Sequence, residues 1–387
     1  MLMEYQQLDR LWNALEKRHT LTLPTRKYDC PDIAAEKEYV RNTIARPKET
    51  IKEAMLVSRT WKVYFTLFKA RTFALKDVNF SVRKGECFGV LGMNGCGKTT
   101  AFKVMTRKEF VTKGIIFGNG YFANENATKY IRKLGYSHQT FGLDFFRSGE
   151  KNLRTLMVLR GITREDIKIE NNTWFKIIGL EQFRHYTVTH YSGGMAQRLT
   201  AGAALCGGAP VMLLDGPTAG VDPAARRLVW EALEHGLTYG RSIILSSHNM
   251  EEVERLCNNL TLLDAGEMGV IGTPSNFKLS YARGHTVLIK LRVDSVLTAA
   301  GASKVQALKD FMATEFNSAL KDDHMAALRY MISARVMYSE IFNKLTCISR
   351  DFEDIIEDFE TYDGNMEDGF MQFVHDSRFN LRQKQTW

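Results

Sequence analysis

The residues best suited to chemistry lie in a glycine-rich loop, Gly92-Met93-Asn94-Gly95-Cys96-Gly97-Lys98-Thr99, which fits the pattern G-x-x-x-x-G-K-[ST]. Its glycines let the backbone turn in ways that a Cβ atom would forbid, so that successive N–H groups point inward and form an anion nest. Lys98 can reach the terminal phosphates of a nucleotide, and the Thr99 hydroxyl can ligate Mg²⁺. Together with Thr100, these residues form a candidate phosphate-binding site.

The sequence on both sides of the loop predicts the elements that such a site needs. Cys87 to Leu91 is a short apolar run that predicts a buried strand, and a helix with Phe102 and Met105 on one side follows the loop. The N-terminus of that helix adds a dipole that favours negative charge. The alternative is a glycine-rich turn that fits the pattern by chance, and the strand–loop–helix order argues against it.

Two further candidates follow apolar strands. Val211 to Leu214 predicts a buried strand that ends in Asp215. In a nucleotide-binding fold a carboxylate at this place supplies a second Mg²⁺ contact, usually through water. The alternative is an acidic residue that simply ends a strand. His248 follows the run Ser242 to Ser246, and the pattern alone favours a structural histidine over a catalytic one.

Strands that alternate with helices over residues 60–280 predict an α/β domain with a mainly parallel sheet. Phosphate would then bind at the carboxyl edge of that sheet. The other predicted strands are 62–65, 72–82, 114–117 and 134–139, with a closing hairpin over 260–271. The predicted helices are 150–160, 164–178, one that begins near 192, and 224–235.

The composition is that of a soluble globular protein, because 44% of the 387 residues are hydrophobic and 25% are charged. No run approaches the roughly 18 apolar residues of a membrane span, and acidic residues interrupt any signal peptide core near the start. The six cysteines have no CxxC spacing, which favours a reduced cytosolic protein. The net charge of +8 is spread along the chain, which favours a solvated surface over a patch for nucleic acid or a membrane.

The first 55 residues predict a linker with one amphipathic helix. Pro24, Pro31 and Pro47 are typical of a linker. Helical spacing is shown by Leu8, Leu11, Trp12 and Leu15.

Beyond Gly284 the sequence predicts a second, smaller unit with strands at 286–293 and 326–332 and helices at 305–316 and 336–345. The acidic stretch 351–368 predicts another helix, because four apolar residues in it have helical spacing. These are Phe352, Ile355, Ile356 and Phe359.

The order of these motifs resembles the nucleotide-binding domain of an ABC transporter, and in detail the second cassette of the lipid-moving A subfamily with its regulatory domain. The resemblance covers residues 30–375. It implies a P-loop NTPase cassette, with a parallel sheet core, an antiparallel β subdomain and a helical signature subdomain, followed by a small α+β regulatory domain. The implied boundaries are 1–55 for the N-terminal linker, 56–284 for the cassette, 285–376 for the regulatory domain and 377–387 for the tail.

The resemblance also implies residue roles. The glycine loop is the Walker A motif, Asp215 ends the Walker B strand, and residues 219–222 form the D-loop. Tyr64 resembles the aromatic residue that stacks on adenine, and His248 resembles the switch histidine near the γ-phosphate. Gln139 resembles the Q-loop glutamine, so the implied catalytic residues are His248 and Gln139. The implied Mg²⁺ ligands are Thr99, Gln139 and Asp215.

Residues 191–198 resemble the LSGGQ signature, with Tyr191 in place of leucine. In this family two cassettes face each other head to tail, and each signature completes the ATP site of the partner. The residues implied to contact that ATP are Ser192, Gly193, Gly194 and Gln197. The resemblance further implies, in the tail, a strand at 353–362 and a helix at 365–374, and the strand contradicts the helical spacing noted above.

One departure from the family pattern bears on catalysis. Active members carry a glutamate after the Walker B aspartate, and Gly216 occupies that position here. Since a general base typically contributes about 10²–10⁴-fold in rate, weak hydrolysis is expected at this site. Pro217 favours an extended conformation at Gly216, which a glutamate could also adopt. His138 also replaces the usual proline before Gln139.

The leading hypothesis is a cassette that binds ATP and Mg²⁺ and powers or gates lipid transport from the cytosolic face of a membrane. Its implied partners are a second cassette and transmembrane domains, with the lipid substrate contacted only indirectly and no nucleic acid expected. Two alternatives stay open: a catalytically weak regulatory ATP-binding protein, and a soluble ABC ATPase that acts on nucleic acid or ribosomes. The second of these normally has two cassettes in one chain, whereas this sequence has one Walker A motif.

Overall fold

The computed structural model describes residues 30–64, 71–138, 142–282, 284–292, 299–316, 319–324, 327–332 and 337–384. The predicted amphipathic helix near Leu8 and the predicted ligand Gln139 lie outside these ranges. None of the helices in the described ranges is both long enough and apolar enough to cross a membrane.

The strands are β1 (Met55–Tyr64), β2 (Thr72–Val82), β3 (Cys87–Gly92), β4 (Lys113–Gly118), β5 (Tyr121–Phe122), β6 (Leu134–Ser137), β7 (Val211–Asp215), β8 (Ser242–Ser246), β9 (Asn259–Asp264), β10 (Glu267–Gly272), β11 (His285–Leu291), β12 (Ala319–His324), β13 (Ala327–Ile332) and β14 (Ile356–Asp363). The helices are α1 (Pro31–Ile44), α2 (Lys98–Met105), α3 (Ala127–Arg132), α4 (Gly149–Leu159), α5 (Arg164–Ile177), α6 (Gly193–Leu205), α7 (Pro223–Thr238), α8 (Met250–Leu256), α9 (Pro274–Tyr281), α10 (Ala299–Phe316), α11 (Tyr338–Asp351) and α12 (Met366–Lys384).

The central sheet has six strands in the order β10-β9-β3-β8-β7-β6. Its pairs are parallel except for the β9–β10 hairpin. Strands β3, β7 and β8 are buried along their whole length, which explains why their sequences are continuous apolar runs rather than alternating ones. The predicted α/β fold with a mainly parallel sheet is therefore confirmed.

An antiparallel sheet in the order β2-β1-β4-β5 packs against the part of the central sheet near β3. Phe80 of β2 stacks on Phe88 of β3 with ring centres 4.9 Å apart. Helix α1 packs on β1, β2 and β10, and Ile33 and Val40 are buried there. The linker predicted for this part is thus wrong over residues 31–44, because Pro31 begins a helix at a position where proline is tolerated.

Helices α4, α5 and α6 form a helical subdomain beside the other part of the sheet. Side-chain oxygens cap each helix: Ser148 accepts from Lys151 N, Thr163 from Asp166 N and Ser192 from Met195 N. The apolar face of α5, with Trp174 and Phe175, is buried in the same core as Leu199 of α6. This core fixes where the signature residues at the start of α6 lie.

The C-terminal unit is a second sheet in the order β12-β13-β11-β14, all of its pairs antiparallel. Its chain order β11-α10-β12-β13-α11-β14 is that of a ferredoxin-like motif. Val287, Leu328 and Ile332 of the sheet share a core with Leu308 of α10 and Ile341 of α11.

The helix predicted for 351–368 from apolar spacing is wrong. Residues 356–363 form the edge strand β14, paired with β11, and α12 begins at Met366, as the family resemblance implied. The strand is stabilised by backbone pairing with β11 and by Ile356, which is buried in the core of the second sheet, and neither requires helical spacing.

The last helix, α12, returns to the cassette. Met366, Phe373 and Val374 belong to the same core as the helical subdomain. Phe373 packs against Tyr281 of α9 with ring centres 5.4 Å apart, and α12 also contacts α8. The implied regulatory domain of residues 285–376 therefore includes a helix whose apolar face packs on the cassette.

Replacing Gly269 by alanine is expected to lower the free energy of unfolding by about 1–3 kcal/mol, because the core there is already full. A Cβ atom at Gly269 would lie 2.3 Å from Cζ of Phe373, and that ring is buried. Denaturant unfolding measures the change. Gly142→Ala is the control, since an added Cβ there meets no atom of the described residues within 4 Å. Adding Phe373→Leu to Gly269→Ala should recover part of the loss, and no recovery would contradict this packing.

Candidate nucleotide-binding site

A cavity of about 600 Å³ lies at the carboxyl edge of the central sheet. The predicted site residues that line it are Asn94, Gly95, Gly97, Lys98, Thr99, Thr100, Asp215, Gly216 and His248. The residues that line it without having been predicted are Thr72, Phe73, Ala74, Lys76, Ala219, Ser246, Ser247, Ala265 and Gly266. The structure therefore brings the glycine loop, the end of β7 and the loop after β8 into one cavity.

The glycine loop adopts backbone angles that require glycine. Gly95 and Gly97 have φ angles of +82° and +111°, and a Cβ atom on Gly97 would lie 2.5 Å from the carbonyl oxygen of Ala74. Lys98 Nζ donates to the carbonyl oxygens of Gly92 at 2.7 Å and Met93 at 3.0 Å. The ammonium group is thus held across the mouth of the loop, where it can meet a bound anion.

Asp215 is 3% exposed and has only half of its carboxylate satisfied. Its Oδ1 accepts from Ser246 Oγ at 2.5 Å, whereas its buried Oδ2 has no hydrogen-bond partner among the described residues. A buried carboxylate oxygen is costly to leave unpaired. A carboxylate in a cavity that Thr99 also lines suits Mg²⁺, which is usually bound by one or two carboxylates together with substrate phosphates.

Among the described residues the phenyl ring of Phe73 lines the cavity, and Tyr64 does not line it. Tyr64 lies on the neighbouring strand, opposite Thr72, with Thr100 close to its hydroxyl and the Lys62 ammonium 5.0 Å from its ring centre. The assignment of adenine stacking to Tyr64 therefore stays a prediction, and Phe73 is a second candidate. Sequence reasoning missed Phe73 because strand register decides which side chain faces the cavity.

The signature residues do not line this cavity. Ser192 and Gly193 are exposed at the start of α6, and an added Cβ at Gly193 would meet no atom within 4 Å. The Tyr191 hydroxyl donates to the carbonyl of Phe183 at 2.8 Å, and burial raises the pKa of Tyr191 to about 12. The start of α6 is thus open to a partner.

Gln197 does not share this exposure. It is 3% exposed, and its Nε2 donates to the carbonyl oxygen of Gly216 at 3.0 Å. In this structure the Gln197 amide links the signature helix to the backbone after Asp215, and its contact with the partner's ATP stays a prediction.

Gly216 adopts a conformation that the sequence did not indicate. Its φ is +65°, so the extended conformation expected from Pro217 is wrong. Its N–H lies 3.0 Å from Ser246 Oγ and 3.1 Å from the Ser246 carbonyl oxygen. These contacts, with the one from Gln197, hold the peptide in the left-handed region, where a residue with a side chain is strained.

A buried carboxylate that sequence reasoning missed lies behind His248. The His248 side chain is exposed on the cavity wall, whereas Glu252 is fully buried in the first turn of α8. Burial raises the pKa of Glu252, and hydrogen bonds from Ser247, Thr218 and Trp230 oppose that shift. No sequence pattern distinguishes Glu252 from the exposed Glu251 beside it.

Cys96 is expected to react slowly with thiol reagents, although its place in an anion nest at the start of a helix would by itself favour the thiolate. Its side chain is 5% exposed, and burial raises its pKa despite the Lys98 ammonium 3.8 Å away. Cys347 is exposed and serves as the internal control. Peptide mass spectrometry after brief maleimide treatment should show labelled Cys347 and little labelled Cys96. Rapid labelling of Cys96 that ATP prevents would contradict this expectation.

The fold and the site together define a nucleotide-binding cassette of the P-loop type. The family model for the ABC transporter domain matches residues 75–219. The chain is 31% identical to the human phospholipid-transporting ATPase ABCA3 over 379 residues, which cover 96% of this chain and 21% of that protein. It is 28% identical to human ATP-binding cassette sub-family A member 2, with coverage of 97% and 15%. The chain therefore contains an ABC transporter domain, and over 96% of its length it matches a nucleotide-binding domain of the A subfamily.

Solved structures agree with this fold. An ATP-binding subunit of an ABC transporter superimposes with a TM-score of 0.54 at 25% identity, covering 59% of this chain and 93% of that one. A dimeric cassette in a post-hydrolysis state bound to ADP and Pi gives 0.53 at 22% identity, with coverage of 57% and 98%. The chain spans only 21% and 15% of the lengths of the two curated relatives named above.

Proposed function

We propose that this chain is the ATP-binding cassette of a lipid-transporting membrane protein and that ATP with Mg²⁺ binds in the cavity at the edge of its parallel sheet. The observation that supports this most directly is that Lys98, Thr99 and Asp215 line one cavity, while Asp215 Oδ2 has no hydrogen-bond partner among the described residues. Lipid as the transported class rests on the A-subfamily relatives, which include a phospholipid-transporting ATPase.

Each residue has a role in this proposal. Bound Mg²⁺ would neutralise charge on the β- and γ-phosphates. Thr99 and Asp215 hold it, and Gln139 is the third ligand implied by the family. The N–H groups of the glycine loop and the Lys98 ammonium bind the phosphates, and His248 lies on the wall where a γ-phosphate contact is expected.

The exposed signature residues support a head-to-tail partner. Ser192, Gly193 and Gly194 lie at the N-terminus of α6, away from this chain's own cavity, where their N–H groups can bind the phosphates of a facing cassette. The partners are accordingly a second cassette and transmembrane domains, with this chain at the cytosolic face of the membrane.

Gly216 supports a second candidate, a regulatory cassette that binds ATP and hydrolyses it poorly. Its position lacks a carboxylate to orient water, whereas the groups proposed for phosphate and Mg²⁺ binding are present. In that case ATP bound here gates the partner site rather than supplying turnover.

Calorimetry of the full chain with ATP, with and without Mg²⁺, tests the shared part of both candidates. We expect binding that weakens when EDTA removes Mg²⁺, and absence of binding would refute the proposal. Lipid transfer by the assembled transporter then distinguishes them. Transport that is lost when the partner is hydrolysis-dead, but persists when only this site is, supports the regulatory candidate.

A further inference from the structure

The carboxylate of Glu252 is fully buried behind the loop of His248, and the function proposed above does not use it. Ser247 Oγ donates to its Oε2 at 2.5 Å, and Trp230 Nε1 of α7 donates to its Oε1 at 3.2 Å. Thr218 lies close enough to oppose the rise in the pKa of Glu252 that burial causes, and Arg226 adds a favourable charge. An ionised group is kept in such a place only when donors of this kind compensate its burial.

On one side this carboxylate fixes the loop that carries His248. The Ser247 hydroxyl that donates to Glu252 also accepts from Asn249 N at 3.0 Å, so the residues before and after His248 are both tied to it. Asn249 Oδ1 in turn caps α8 by accepting from Glu251 N at 3.0 Å. The position of the exposed imidazole is therefore set by its neighbours.

On the other side the same carboxylate lies beside the segment that follows Asp215. Thr218, which is close to it, lies two residues after Gly216, and the segment continues to Asp222, which caps α7 by accepting from Ala225 N at 2.9 Å. Glu252 thus lies between two loops on the wall of the cavity, hydrogen-bonded to the first and next to the second. The glycine loop belongs to β3 and α2 and has no hydrogen bond to Glu252 among those that the structure shows.

We propose that Glu252 is a positioning residue for the terminal phosphate: by holding the His248 loop and the 216–222 segment in a fixed relation, it determines how well the site distinguishes ATP from ADP. This inference rests on the proposed ATP site. Binding of the first two phosphates depends on the glycine loop, and it is independent of Glu252.

Replacing Glu252 by glutamine tests this directly, because an amide turns one acceptor oxygen into an NH₂ group that clashes with a donor. The affinities of the full chain for ATP and ADP, both with Mg²⁺, are measured for wild type and variant. We expect the preference for ATP over ADP to fall about five- to tenfold, with ADP affinity unchanged within about twofold.

Glu86→Gln is the matched control. Glu86 is also a buried acid, 7% exposed, and it accepts from Arg83 N at 2.8 Å and from Asn259, but it lies just before β3, at the opposite edge of the sheet. The Glu86→Gln substitution should lower the free energy of unfolding without changing the preference for ATP over ADP. Trp230→Phe should do the same, because it removes the donor on α7 and leaves both loops attached.

Ser247→Ala and Thr218→Val each remove one hydroxyl near Glu252, and each variant should lose part of the preference for ATP over ADP. These two variants test the proposal if Glu252→Gln does not fold. The proposal is overturned by an unchanged preference in the folded variants, by an equal loss of ATP and ADP affinity, or by a wild-type chain that binds both nucleotides equally. A wild-type chain that binds neither nucleotide would instead refute the ATP site itself.

Discussion

Lys98→Ala is expected to bind ATP about 10- to 100-fold more weakly than wild type, the equivalent of about 1.5–3 kcal/mol for a hydrogen bond to a charged group. The Lys98 ammonium lies at the mouth of the glycine loop, and alanine leaves the phosphates without that charge-assisted contact. Calorimetric titration with ATP and Mg²⁺ measures the change.

Two further variants test whether the loss of ATP affinity is specific to the ammonium group of Lys98. Lys84→Ala removes an exposed lysine before β3, at the opposite edge of the sheet, and should bind ATP as wild type does. Lys98→Arg keeps the charge but not the compact ammonium, so it should retain only part of the affinity. ATP affinity equal to wild type in a folded Lys98→Ala chain would remove Lys98 from the site.

The largest rate effect is expected at Gly216, where glutamate should raise ATP turnover by about 10²-fold or more relative to alanine, the low end of a general-base contribution. Alanine is the proper reference, since φ is +65° and any side chain there costs about 1–2 kcal/mol of backbone strain. Space is not the obstacle, because among the described residues only Cβ of Ala219 comes within 4 Å of an added Cβ, at 3.5 Å.

Turnover of wild type, Gly216→Ala and Gly216→Glu is compared with the partner cassette held hydrolysis-dead. ATP affinity should stay within a few-fold in all three, since the groups proposed for phosphate and Mg²⁺ binding are unchanged. If strain prevents the rescue, Gly216→Glu will match Gly216→Ala and both will stay near the slow wild-type rate. Rapid wild-type turnover would disprove the idea that this site is degenerate.

Local sequence patterns predicted those parts of the fold that are stabilised by their own burial. Strands β3, β7 and β8 are continuous apolar runs in a parallel sheet, and the glycine loop between β3 and α2 has a spacing that few other structures need. Residues 356–363 form a strand through pairing with β11, so apolar spacing misassigned them as a helix. The short polar strand β12 was missed for the same reason.

The residues of the candidate site likewise fall into two groups, those placed by local sequence and those placed by distant segments. The spacing of the motifs predicts Lys98, Thr99 and Asp215 as site residues, because the backbone next to each of them places it in the cavity. The roles of Gln197, Phe73 and Glu252 depend on which distant segment lies opposite: Gly216 for Gln197, the cavity for Phe73, and Thr218 with Ser247 for Glu252. A single sequence holds no local signal for such pairings.

The return of α12 to the cassette has a consequence for how the chain unfolds. The backbone leaves the cassette after α9, builds the sheet of β11 to β14, and comes back so that Phe373 covers Gly269. In topological terms the small unit is therefore an insertion in the cassette. The residues of α12 that complete the cassette core lie almost a hundred positions or more beyond β10, the last strand of the cassette. A chain shortened after residue 282 would expose the apolar faces of α9 and β10, so the cassette's cooperativity depends on synthesis reaching its final helix.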